Sequence, residues 1–137
     1  MQKFIASLVA AFMMAAGLVA FSGSSATAAC PYTGCIKTYT KIDAPAHVKR
    51  GNRAKIGVRI TTAGNGTAKG RVTLSVKKKT GGYHFIDNKK YTGGKIWFTT
   101  TKLRKLGKYV VLATFDRKPE SAFKDSDNTD AFRVVRR

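Results

Sequence analysis

The chain is poor in the residues from which catalytic sites are built. It holds two histidines, His47 and His84, two cysteines, and seven Asp and Glu against 26 Lys and Arg. Neither histidine has an acidic partner motif beside it, so an acid–base pair of the ribonuclease kind would rest on the histidines alone. No Gly-x-Ser-x-Gly occurs, which leaves serine chemistry without its strained turn. No glycine-rich phosphate loop leads into a helix, and the aromatic platform of RNA-binding modules is missing. Cys30 and Cys35 stand in Cys-Pro-Tyr-Thr-Gly-Cys. Further metal ligands are lacking nearby, and four residues rather than two separate the thiols, so neither a zinc site nor a Cys-x-x-Cys redox centre fits. In an oxidising exterior such a pair reads as a disulfide, whose short loop contributes about 2 kcal/mol at best.

What is present begins with a leader. Met1-Gln2-Lys3 precedes an apolar run from Phe4 to Phe21, and a small-residue stretch from Ser22 to Ala29 follows. A charged start, an apolar middle and an A-x-A end predict a secretory signal peptide over 1–29. Cleavage is expected after Ala26-Thr27-Ala28 or at Ala29/Cys30. An uncleaved span and a lipid anchor on Cys30 are the alternatives; the tail has no basic stop-transfer flank, and the apolar run ends well before Cys30. After cleavage 108 residues remain, the size of one domain. Lys3 is the only charged residue of the leader, so the net charge falls only from +19 to +18. Charge of that density repels itself and attracts polyanions, or else serves solubility alone.

Hydrophobic periodicity beyond Cys35 is two. Ile56-Gly57-Val58-Arg59-Ile60, Val72-Thr73-Leu74-Ser75-Val76 and Ile96-Trp97-Phe98 alternate as half-buried strands do. Glycines punctuate the turns, at Gly64-Asn65-Gly66, Gly81-Gly82 and Gly93-Gly94 among others. An amphipathic helix, an internal repeat and a low-complexity tract are all absent from these residues. The pattern predicts seven strands, near Thr38–Ile42, Ala54–Thr61, Arg71–Lys78, Tyr83–Tyr91, Lys95–Thr101, Lys108–Phe115 and Asp130–Val135. Seven short strands with turns about every ten residues predict an all-β, immunoglobulin-like antiparallel β-sandwich over 38–137, preceded by a short segment, 30–37.

Particular residues strengthen that reading. Val48-Lys49-Arg50-Gly51, Gly70-Arg71-Val72-Thr73-Leu74, Ile96-Trp97-Phe98 and above all Leu106-Gly107-Lys108-Tyr109-Val110-Val111-Leu112-Ala113-Thr114-Phe115 stand in sequence order. In this the chain resembles the bacterial Ig-like repeat domains of secreted and cell-surface proteins. The resemblance concerns the fold; the lack of catalytic groups and the charge predict a binding or structural module rather than an enzyme. It departs from the antibody pattern, since both cysteines precede the first strand, and it departs from the family's usual tandem arrangement. At Leu106-Gly107-Lys108-Tyr109, a tyrosine entering the sixth strand packs its ring in the core and bonds backbone with its hydroxyl.

The candidate contact residues are basic. Lys77, Lys78 and Lys79 close the third expected strand, and Lys89 and Lys90 lie in the fourth. Lys102, Arg104, Lys105 and Lys108 surround the turn into the sixth, and Arg133, Arg136 and Arg137 end the chain. Asp125, Asp127 and Asp130 alternate as calcium ligands do, though the glycine and closing glutamate of a calcium loop are missing; the other reading is an Asx-rich turn. Alternation turns Trp97 outward, either to stack on a sugar or partner or to lie flat beneath lysine stems. The expected partner is therefore an anionic polymer, such as cell-wall or acidic polysaccharide or nucleic acid, or else a protein, with no cofactor and no membrane span after cleavage. A cell-surface assembly module without a polyanion ligand is the second reading. A small secreted hydrolase such as a ribonuclease, using His47 and His84, is the third.

Overall fold

The computed structural model describes residues 34–136. The leader, Cys30 and Arg137 fall outside them. Eight strands follow one another: β1 (Thr38–Asp43), β2 (His47–Lys49), β3 (Lys55–Thr62), β4 (Gly70–Lys78), β5 (His84–Tyr91), β6 (Lys95–Thr99), β7 (Gly107–Arg117) and β8 (Ser126–Val135). They form a three-stranded sheet, β1-β3-β6, and a five-stranded sheet, β2-β8-β7-β4-β5. Every pairing is antiparallel except the short β2–β8 contact. The described residues are thus all-β in two sheets.

The alternation seen in the sequence is what puts a core between them. Val72, Leu74 and Val76 of β4, and Tyr109, Val111, Ala113 and Phe115 of β7, are fully buried; so are Ile56 and Val58 of β3 and Phe98 of β6. Residues of both sheets belong to one apolar cluster. Each large side chain so buried contributes about 1.5–3 kcal/mol. Gly70 begins β4 because nothing larger fits: a Cβ there would overlap the Asp116 carbonyl oxygen and crowd the Phe115 ring.

Six expected strands match the structure within two residues at either end. Two differ. β2 was not expected, since three residues with one buried position, Val48, carry no period to detect. It places His47 in a strand, opposite Arg133, where a loop was expected. The last strand starts at Ser126 rather than Asp130, because β7 runs on to Arg117 and pairs Phe115 with Ser126 and Thr114 with Asp127. A paired partner here overrides the turn preference of an Asx-rich segment. At the N-terminus, Ile36 bridges to Phe123, its amide donating to the Ala122 carbonyl at 2.8 Å. Cys35 beside it is not a free thiol.

Tyr91 ties the sheets together at one end. β6 accompanies β3 only as far as Arg59, opposite Lys95. One residue further, the Ile60 amide donates to the Tyr91 hydroxyl at 3.0 Å, and that hydroxyl donates to the Gly94 carbonyl at 2.7 Å. A side chain from the five-stranded sheet thus completes the ladder of the other. Removing only the oxygen, in Tyr91→Phe, strands a buried amide and is expected to cost about 1–3 kcal/mol. A lower urea midpoint with an unchanged slope and far-UV spectrum would show it.

Candidate functional site

Among the described residues, two ion pairs form, Lys95 with Asp43 and the Arg117 Nε with Asp125 at 3.9 Å. Many more cations are exposed on the surface, and their placement follows from strand direction. β4 runs from Gly70, opposite Tyr91 and Arg117, to Lys78, opposite Tyr109. These mark two ends, separated by the eight steps of one strand, roughly 26 Å.

At the Tyr109 end three chain segments converge. The Lys79 amide donates to the Lys108 carbonyl at 2.9 Å. The Gly51 amide donates to Leu103 and the Leu103 amide to Asn52, both at 2.8 Å, and the Arg50 amide reaches Val135 at 2.9 Å. Leu103 is fully buried, while Lys102 and Arg104 on either side of it are exposed. Tyr109 holds this loop from within: its hydroxyl donates to the Lys105 carbonyl at 2.8 Å. Its ring stacks on Phe132 at 5.3 Å and meets Tyr83 edge-on at 5.4 Å. Lys105 in turn lies against Gly82 in the β4–β5 turn, where Gly81 and Gly82 take φ of 80° and 79°, open to glycine with no steric cost.

Of the nine basic candidates, Lys78, Lys79, Lys102, Arg104, Lys105 and Lys108 meet at this end, with Lys77 on the adjoining outer face of the five-stranded sheet. Lys89 and Lys90 do not join them. The Lys89 ammonium donates to the Trp97 carbonyl at 2.6 Å and lies 5.2 Å from the Phe98 ring centre, covering the core edge. Lys90, opposite Arg71, is six positions along β4 from Lys77, roughly 20 Å away. The sequence reading missed Lys49, Arg50 and Arg53, which join the Tyr109 end. A signal for them exists: between Asp43 and Asp116, Asp87 is the sole carboxylate.

At the Tyr91 end, Lys69, Arg71, Lys90, Arg117 and Lys118 line a cleft of about 710 Å3, with Asp116 as its one carboxylate. Apart from Lys90, these were not singled out from sequence, because they are isolated in the chain and only the β4–β5–β7 pairing gathers them. Arg117 is committed to the fold, its guanidinium donating to the Ser121 carbonyl at 3.0 Å and its amide to Asp125 at 2.7 Å.

The remaining candidates are not assembled into sites. His47 and His84 sit on β2 and β5, the opposite edges of the five-stranded sheet. Four strand spacings, roughly 19 Å, keep them from sharing one phosphodiester. His84 instead has Ser75 Oγ 3.2 Å from its Nε2. The calcium candidates are not brought together either. Asp127 and Asp130, three apart on a strand, point to opposite faces, and no group of three metal-capable side chains forms among the described residues.

Trp97 faces outward and is 41% exposed. Its ring is already occupied: the Lys55 and Lys95 ammonium groups lie 4.8 and 4.4 Å from its centre. Gly57, opposite it on β3, leaves the room, since a Cβ there would come within 3.0 Å of the indole. Two cations over one ring, each worth about 0.5–1 kcal/mol at the surface, describe a tryptophan lying under lysine stems.

No family model matches the chain, and no curated protein does. A solved structure of a β-glucosidase from Listeria innocua in complex with isofagomine is similar at 11% identity and a TM-score of 0.45. The match covers 72% of this chain and 16% of that one. A likeness this slight bears on neither fold type nor activity.

Burial, and secondarily the neighbouring Tyr83, raises the Tyr109 pKa above the usual 10.0. A raised folded-state pKa means that the neutral phenol stabilises the fold fully below pH 10 and that this contribution disappears as pH climbs through the folded value. The urea midpoint of the wild type is therefore expected to fall relative to that of Tyr109→Phe above pH 10. Parallel midpoint curves for the two proteins would exclude the linkage.

Proposed function

We propose that this chain is a secreted, non-enzymatic, immunoglobulin-like β-sandwich that binds anionic surface polymers through its Tyr109 end. The sheet orders support the fold assignment. β1 and β2 fall in different sheets, β3 and β6 pair on one side, and β7 lies centrally between β8 and β4 on the other. The corner tyrosine supports it too, with the Tyr109 hydroxyl bonded four residues upstream. Export follows from the leader, and with it the pairing of Cys30 with Cys35.

One observation carries the binding assignment. Segments 47–55, 76–85 and 99–110 meet at one end, each bring Lys or Arg, and contain no carboxylate at all. A cation cluster without counter-charges concentrates a polyanion at its surface. Contacts of this type require charge and reach rather than a shaped pocket, so they discriminate little among polymers and weaken steeply with salt. The main-chain bonds that join the segments fix the backbone that carries the charges, so little main chain has to order on binding.

A second reading, an assembly module without a polyanion ligand, is supported by Ile86 and Leu112. They are 57% and 41% exposed and lie on either side of Ser75 across the outer face of the five-stranded sheet. Retention on immobilised heparin separates the two. The wild type is expected to elute above physiological salt. Lys79→Glu/Lys105→Glu is expected to elute earlier, with the slope of log affinity against log salt shallower by about 2. Wild-type elution below physiological salt would overturn the polyanion assignment and leave the assembly reading.

A further inference from the structure

We infer that the cleft at the Tyr91 end is a second anion site, so that a single domain grips two segments of acidic polysaccharide at once and cross-links them. This inference rests on the polyanion reading above and extends it from binding to bridging. Three features of the molecule support it.

The first is the composition of the cleft. With Arg117 engaged by Ser121 and Asp125, the side chains of Lys69, Arg71, Lys90 and Lys118 remain to face a ligand; Asp116 is the one carboxylate of the lining, and Glu120 stands beside it in the adjoining hollow that Lys69 and Lys118 also line. The second is its shape. A volume of about 710 Å3 falls within the range of small-molecule sites, roughly 300–1,000 Å3, enough for a short stretch of sulfated or carboxylated sugar. Its walls are not mobile tails. Lys69 and Lys118 are joined by the amide of Lys118 donating to the Lys69 carbonyl at 3.0 Å. Lys118 also opens a turn closed by the Ser121 amide at 3.1 Å, which holds Glu120 at a φ of 62°.

The third feature is separation. The two ends lie at opposite termini of β4, roughly 26 Å apart, whereas the screening length at physiological salt is about 8 Å. Occupation of one end therefore neither repels nor recruits charge at the other. They also lie at opposite ends of the strand axis, which leaves each open to its own segment of polymer. Two independent sites on opposite ends make a cross-linker.

The test compares two variants of identical net charge. Lys69→Glu/Lys118→Glu alters the cleft. Lys41→Glu/Arg59→Glu alters an exposed cross-strand pair on the three-stranded sheet, outside the lining of the cleft. Light scattering is followed as long-chain heparin is titrated into each protein, with retention on immobilised heparin measured in parallel. The wild type and the Lys41/Arg59 variant are expected to scatter strongly near charge equivalence. The Lys69/Lys118 variant is expected to scatter about ten-fold less while still binding the column, and a heparin hexasaccharide is expected to cross-link none of them. Equal scattering by the two variants would overturn the second site while leaving polyanion binding intact. Failure of the wild type to bind the column would overturn both.

Discussion

Two buried tyrosine hydroxyls decide how this small domain closes. Tyr91 and Tyr109 are both fully buried in the core, and each carries a hydroxyl that must find a partner there. Tyr91 meets the requirement by completing the three-stranded sheet where β6 stops short, Tyr109 by anchoring the loop that leads into its own strand. Each tyrosine therefore fixes one end of the molecule. Those ends are where the cations gather, because the loops that the tyrosines hold carry Lys105 and its neighbours at one end and adjoin Lys90 at the other. Among the described residues no buried side-chain nitrogen or oxygen is left without a partner, so the core tolerates these hydroxyls at little net cost.

The same economy shapes the surface. A net charge of +19 on 137 residues cannot be neutralised internally, and the domain keeps it off the core rather than pairing it. Lysine stems instead do the work of apolar side chains at exposed edges. Lys89 covers Phe98, and Lys55 and Lys95 cover Trp97. β5, an edge strand, carries Asp87, Lys89 and Lys90, charges that discourage another chain from pairing with its open side. Cations used in this way are structural, which is why a count of lysines overstates the charge left open to solvent and why position along the strands separates one kind from the other.

Much of the fold could be read in the residues. Period-two alternation marked the strands because a strand with one buried face has no other way to be written. Leu106-Gly107-Lys108-Tyr109 marked the corner because the tyrosine and the turn it bonds to are adjacent in the chain. Where the reading failed, the determining partner was remote. β2 exists because β8 offers an edge to pair with, and Asp127 to Asp130 are extended because β7 lies alongside them. No local preference in His47-Val48-Lys49 or in an Asx-rich run announces either.

The sequence by itself determined the all-β character of the described residues, their strand phases, the excess of positive charge and the outward direction of Trp97. Each of these depends on neighbours one to four residues away. Only the tertiary structure decided which cations meet. It placed Lys79, Lys105 and Lys108 together, sent Lys89 to the core edge, gathered Lys69, Arg71, Lys90 and Lys118 around one cleft, and put His47 and His84 on opposite edges of a sheet. Charge acts through space over about 8 Å, and which residues come within that distance is set by strand pairing between segments far apart in the chain.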